Sequence, residues 1–261
     1  MQEFLKQIIT EAGVLAKDYY NKGVKSNIKS SPSDLVTEAD QETSKFLIKK
    51  IRKEYPEHSI ISEEEKEEIN PGGVYTWVID PIDGTRNFAN HIGFWCTMIG
   101  ITKNDKPYMA AIYDALNDEL FFAKVGFGAY LNDKKISVNN VEDFEHCFYS
   151  FSCGSKVNPV YKTDKFDDYL KVLNKIAKLT GELMFYRHGS MLKDCHIAAG
   201  RTDASFSNGG LYHDHLAPFI IVTEAGGMYT NSLGRTWQRG DTDSVVANPL
   251  LHKKLLQLFK D

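Results

Sequence analysis

Asp80-Pro81-Ile82-Asp83-Gly84-Thr85-Arg86-Asn87-Phe88 is the stretch whose residue types and spacing most clearly suit chemistry. Two carboxylates three residues apart, on a turn stiffened by proline, can face one pocket. Gly84 lets the backbone approach a ligand, and the N–H groups of Gly84 and Thr85, at the start of a following helix, favour an anion such as phosphate. Anionic side chains beside an anion cradle need a cation between them. Carboxylate oxygens with the free carbonyl of Ile82 suit magnesium, which keeps waters and accepts phosphate oxygens. Asp-Gly is also a common turn dipeptide, so an ordinary Asx-type turn is the competing reading.

Three further acids bear on that choice. Glu63 follows Ile60-Ile61, at the end of a short strand able to pair beside the one leading to Asp80. Asp40 opens a helix upstream, and Asp214 precedes another far downstream. Each has a plain explanation too: a cap, a solvated acidic loop, a helix-dipole partner. Gathered around Asp80 and Asp83, each pair about 5 Å apart would repel by roughly 3 kcal/mol at an effective dielectric near 20. Such a gathering requires divalent ions.

The elements that must position these residues are legible in outline. Phe4, Leu5, Ile8, Ile9, Ala12, Leu15, Ala16 and Tyr19 form one helical stripe closed by Gly23. A Ser/Pro-rich loop over residues 30–33 leads to Thr37-Glu38-Ala39-Asp40, a capping box, which predicts a second helix from near Asp40 to Pro56. A strand over 74–79 must end at Pro81, placing Asp80 at a strand terminus. Residues 94–138 read as an antiparallel meander with turns at 103–106, 116–118 and 132–135. Gly126-Phe127-Gly128-Ala129 lacks the third glycine of a dinucleotide loop and reads as a hairpin corner.

Beyond about residue 146 the pattern alternates: strand 147–151, helix 166–179, strand 183–186, helix 190–199, strand 203–206, helix 216–225, strand 245–247 and a last helix. Pro218 is tolerated only in a first turn, so the helix containing it should begin no earlier than about His213. The expectation is an α+β half, residues 1–145, carrying most of the acids, joined at a packed junction to an α/β half, residues 146–261, carrying Asp214.

Composition excludes several function classes. The 261 residues are 42% apolar and 25% charged, ordinary for a folded soluble chain. The net charge of −4 gives no bulk attraction for nucleic acid or anionic lipid, and no apolar run approaches a membrane span. Cys96, Cys147, Cys153 and Cys195 are too scattered for a disulfide framework and form no C-x-x-C pair; reduced, mostly buried thiols in a cytoplasmic chain are expected.

The sequence resembles the inositol monophosphatase family of magnesium-dependent phosphomonoesterases. The likeness is carried nearly end to end by Asp34-Leu35-Val36-Thr37 with Asp40, Ser62-Glu63-Glu64, Asp80-Pro81-Ile82-Asp83-Gly84-Thr85 with Asn87-Phe88, and Asp214 ahead of Thr223-Glu224-Ala225-Gly226-Gly227. The resemblance implies a layered αβαβα carbohydrate-phosphatase architecture, like that of fructose-1,6-bisphosphatase, and a homodimer. It implies that Glu63, Asp80 and the Ile82 carbonyl hold one Mg²⁺ and that Asp80, Asp83 and Asp214 hold a second, with a weaker third sharing Glu63. Gly84 and Thr85 would grip phosphate. Thr85, with Asp40 behind it, and a metal-activated water near Glu63 would supply the nucleophile for direct attack on phosphorus, without a phosphoenzyme.

The chain departs from that pattern on the substrate side. His213 stands where the family usually has tryptophan, and the reading here is that it fills that space while His215 lies on the helix. Ser207, seven residues before Asp214, stands where inositol-reading members carry glutamate, and a hydroxyl does not replace a carboxylate accepting from a polyol. Gly189-Ser190 matches a turn lining the pocket, which Met191 narrows. Ser190, Ser207 and His213 join Asp83, Gly84 and Thr85 as expected substrate contacts. The expected activity is hydrolysis of a small inositol or sugar phosphate. Histidinol phosphate, fructose 1,6-bisphosphate and 3′-phosphoadenosine 5′-phosphate are alternatives within the fold, and a non-catalytic interaction protein or a two-metal nuclease are alternatives outside it.

Overall fold

The computed structural model of the chain describes residues 1–23, 26–31, 34–152, 165–181 and 189–260. Helix α1 (Gln2–Lys22) carries the apolar stripe and ends at Gly23. Residues 30 and 31, expected in a loop, belong to β1 (Ser26–Ser31), which pairs antiparallel with β2 (Asp34–Thr37). Helix α2 (Glu38–Glu54) starts at Glu38 rather than Asp40, because Thr37 is its cap: the capping box places Asp40 inside the first turn.

A seven-stranded sheet follows. β3 (Ser59–Ser62) runs parallel to β4 (Tyr75–Asp83). Short helix α3 (Thr85–Ala89) leads into the expected meander of β5 (Cys96–Lys103), β6 (Lys106–Asp114), β7 (Glu119–Lys124), β8 (Gly128–Leu131) and β9 (Lys134–Ile136), paired in chain order. Its corner at Gly126–Gly128 is a hairpin, as expected.

In the second half, β10 (Tyr149–Ser152), α4 (Phe166–Thr180), α5 (Leu192–Ala198) and β11 (Ala204–Asn208) precede α6 (Tyr212–Glu224), β12 (Met228–Thr230), β13 (Asp243–Ala247) and α7 (Pro249–Leu258). The four strands form a mixed sheet in the order β10-β11-β13-β12. The strand expected at 183–186 and Cys153 lie outside the described residues. Cys96, Cys147 and Cys195 are free thiols.

The expectation for Pro218 fails: α6 begins at Tyr212 and holds the proline in its second turn. The ring deprives one carbonyl, that of Asp214, of its helical donor. Against this, Leu216, Ala217, Ile220, Ile221 and Val222 are all buried, and their packing outweighs one lost bond. Glu224 at the end of α6 clamps the β7–β8 corner, accepting from the N–H groups of Gly126 (2.9 Å) and Gly128 (2.8 Å).

Strand alternation sorts the core into layers. Trp77, Ile79, Ile99, Met109 and Ala111 face α1 and α2, whereas Val78, Met98, Ala110 and Ile112 face α5 and α6. Val246 and Tyr229 of the smaller sheet also pack on that middle helical layer, while Tyr149, Phe206, Val245 and Ala247 pack on α4 and α7. The order is helix, sheet, helix, sheet, helix, the expected αβαβα architecture.

Candidate metal and phosphate site

β4 does not stop at Pro81, as the sequence suggested; it continues to Asp83 through a β-bulge. Asp80 pairs with Met98 and Asp83 with Cys96, so three steps on β4 oppose two on β5. The irregularity accommodates the proline, which has no N–H for a ladder, and Thr97 Oγ1 donates to the Pro81 carbonyl at 2.9 Å. In a regular strand, residues three apart point to opposite faces. The extra residue turns both aspartates to the face covered by α5 and α6.

Asp214 meets them there from the first turn of α6, where the Leu211 N–H donates to its Oδ2. Gly100 sets the approach: a Cβ on it would lie 2.7 Å from Leu216 Cγ, so a side chain would push α6 off β5. One carboxylate oxygen from each of Asp80, Asp83 and Asp214 lies within 4.8 Å of the others. Asp80 is 2% exposed and its Oδ1 is buried with no hydrogen-bond partner among the described residues. Burial, reinforced by the charges of Glu63, Asp83 and Asp214, raises the Asp80 carboxyl well above its ordinary range. Burial likewise pushes Asp83 up to about 6, against the Ser190 hydrogen bond, and raises Asp214. Glu63 sits at the end of β3, its N–H donating to the Ile79 carbonyl at 3.1 Å, and is the largest of the charges acting on Asp80.

Crowded, buried carboxylates with an unserved oxygen are tolerable only if protonated or bound to cations. The donors are all oxygen, the chemistry of magnesium, manganese or calcium sites, and no histidine or cysteine joins the trio among the described residues. These residues fit a hard divalent ion.

Thr85 Oγ1 lies 3.1 Å from Asp40 Oδ1 and 3.0 Å from the Ile82 carbonyl oxygen, so its single proton serves one or the other. Asp40 Oδ2 accepts from the Thr37 N–H (2.7 Å) and hydroxyl (2.6 Å). Burial, opposed by those bonds, raises the Asp40 carboxyl to about 7. Gly84 adopts φ 92°, and a Cβ there would stand 3.1 Å from both the Phe94 carbonyl oxygen and Ser190 Cβ. The backbone approach read from the sequence is therefore real, and it closes against the Gly189-Ser190 turn.

The substrate-side residues fall differently. Ser190 donates to Asp83 Oδ2, as does the Met191 N–H, so this turn anchors a carboxylate of the trio. Ser207 is buried in β11 with its hydroxyl 2.8 Å from Ser244 Oγ. His213 Nε2 stands 3.9 Å from Asp214 Oδ1. His215 is buried in α6, its Nδ1 2.8 Å from the Tyr229 hydroxyl, and burial drives its pKa down to about 3. Two neighbours were missed in the sequence: Cys96, whose thiol donates to Asp83 Oδ2 at 3.5 Å, and Lys193, buried in α5. A lysine among Leu192, Cys195, Ile197 and Ala198 was the available signal for the second.

The inositol monophosphatase family model matches residues 1–261. The inositol-1-monophosphatase of Bacillus subtilis is 32% identical over 99% of this chain and 96% of its own. A fructose-1,6-bisphosphatase/inositol-1-monophosphatase of Aquifex aeolicus is 29% identical over 99% and 94%. Among solved structures, the extragenic suppressor protein suhB of Bartonella henselae superposes with a TM-score of 0.89 at 26% identity, covering 99% of this chain and 98% of that one. The chain belongs to the inositol monophosphatase family and is a phosphoric monoester hydrolase.

Proposed function

We propose that the chain hydrolyses a small inositol or sugar phosphate monoester with two or three bound Mg²⁺ ions. The observation that carries this reading is the meeting of Asp80, Asp83 and Asp214, one oxygen of Asp80 unserved, beside the Gly84 turn and the Thr85–Asp40 pair. Glu63, Asp80 and the Ile82 carbonyl would hold one ion, and Asp80, Asp83 and Asp214 a second; a third would share Glu63. Bound Mg²⁺ lowers the pKa of a coordinated water and neutralises charge on attacking and leaving oxygens.

The chain's own groups supply the rest. The N–H groups of Gly84 and Thr85 hold the phosphoryl oxygens. Thr85 Oγ1 relays a proton, accepting one from the attacking water as it gives its own to Asp40, whose carboxyl, raised to about 7, is poised to take it near neutrality. Water oxygen bonds to phosphorus in line as the ester oxygen leaves and takes up a proton, so no phosphoenzyme forms. Residues 1–145 bring Glu63, Asp80, Asp83 and Thr85, and residues 146–261 bring Asp214, Ser190, Ser207 and His213, so the two parts form the site together. Cytoplasmic residence and a homodimer complete the proposal; no described helix is long and apolar enough to cross a membrane.

The name of the Aquifex relative supports fructose 1,6-bisphosphate as a second substrate. A phosphate-release panel tests the proposal: inositol 1-phosphate, fructose 1,6-bisphosphate, histidinol phosphate and 3′-phosphoadenosine 5′-phosphate, each with Mg²⁺. Turnover of at least one is expected. Failure on all four with ions demonstrably bound would overturn it and leave the non-catalytic reading standing.

A further inference from the structure

Cys96 opens β5, is wholly buried and pairs with Asp83 across the bulge. Its sulfur lies 3.5 Å from Asp83 Oδ2 and 3.9 Å from Ser190 Oγ. The same Oδ2 accepts from the Ser190 hydroxyl and the Met191 N–H, so donors from β5 and from the turn before α5 close on one oxygen. A carboxylate oxygen offers about two lone pairs. Three donors therefore use up Oδ2 and leave Oδ1 for an ion. The companions of Asp83 are divided in the same way. The Leu211 N–H occupies Asp214 Oδ2, and Asp80 Oδ1 has no hydrogen-bond partner among the described residues. A thiol suits this place on β5: its body packs as a small apolar group in the cluster of Val78, Met98 and Leu192, while its S–H still donates.

We propose that Cys96 is a positioning residue that sets the ion preference of the site: by helping to saturate Asp83 Oδ2, it confines that carboxylate to ligation through one oxygen, which favours Mg²⁺ over Ca²⁺. Mg²⁺ demands a near-ideal octahedron and takes carboxylates through single oxygens, whereas the larger Ca²⁺ accepts more ligands and readily takes both oxygens of one carboxylate. A clamped Oδ2 withholds the second oxygen. The thiol itself touches neither ion nor substrate. The inference rests on the metal-binding reading above and adds to it a source of ion selectivity.

The test is calorimetric titration of Mg²⁺ and, separately, of Ca²⁺ into the full chain and into two variants, Cys96→Ala and Cys96→Ser. Alanine and serine are nearly equal in size, so both leave the same small space, and only serine keeps a donor. Cys96→Ala should lower the ratio of Mg²⁺ to Ca²⁺ affinity about tenfold, the low end of what outer partners of metal ligands contribute. Cys96→Ser should keep the parental ratio. A packing role alone would lower the unfolding temperature of both variants together and leave the ratio unmoved. The parental ratio in a folded Cys96→Ala protein overturns the proposal, as does an equal fall in both variants. If Cys96→Ala does not fold, Cys96→Val fills the space without a donor and is held to the same comparison with Cys96→Ser. A parent that takes up neither ion sinks the metal reading and this inference with it; a parent that binds both, with a ratio the variants leave untouched, sinks this inference alone.

Discussion

Asp83 is the residue on which most of the site leans. It comes from the bulged end of β4, accepts from Ser190 and the Met191 backbone, and lies beside Asp80 and Asp214. Asp83→Asn preserves shape but removes the charge an ion needs. Mg²⁺ affinity and phosphate release should both collapse, and full activity in the presence of Mg²⁺ would refute the assignment. Ser190→Ala leaves the carboxylate but frees its orientation; outer partners of this kind usually cost 10–100-fold in metal affinity or activity, and Mg²⁺ titration would read it. Asp40→Asn separates proton handling from ion binding. A fall of about 10²-fold in kcat with near-parental Mg²⁺ affinity is expected, whereas equal losses in both would show that Asp40 serves the ions. Asp80, Asp83 and Thr85 could be read from a single turn; Lys193 and Cys96 could not, because their nearness to Asp83 depends on how α5 and β5 cross it.

Among the elements, α6 must lie close enough to β5 for Asp214 to reach the bulge, and Gly100 permits it. Gly100→Ala should destabilise the fold by about 1–3 kcal/mol through overpacking against Leu216 and, by shifting α6, weaken Mg²⁺ binding; unfolding and titration measured on one sample would show the two losses together. Parental Mg²⁺ affinity in a destabilised variant would mean that α6 adjusts without moving its first turn. The elements themselves were largely readable: the stripe of α1, the meander of β5 to β9 and the second-half alternation are periodic. Pro81 and Pro218 misled because each was read by the local rule alone. A bulge absorbed the first, and burial on two sides outweighed the helical bond lost to the second.

At the scale of the whole molecule, the αβαβα order came from the resemblance rather than from the pattern of the chain, yet a local sign was present. Trp77, Val78 and Ile79 are apolar in succession, which requires cover on both faces of β4. Charge is the molecular property that links this architecture to conditions. Asp40 and Asp83 titrate near 7 and 6, and Asp80 and Asp214 are also raised, so in the metal-free fold these acids favour the protonated state. The contribution of Asp40 and Asp83 to stability is full below the ordinary carboxylate pKa of about 4 and is lost as pH rises through about 6 to 7. The thermal shift on adding Mg²⁺ should therefore be small at about pH 5 and grow toward about pH 8; an Mg²⁺ shift that is flat across that interval would contradict the shared origin of both effects. The placement of α6 carries one more consequence. Asp214 emerges from the ribosome only after the seven-stranded sheet and part of its smaller neighbour. A nascent or C-terminally clipped chain thus holds the aspartates of the turn without their third companion, and, on the proposed ligand set, acquisition of ions becomes a marker that synthesis has run past that helix.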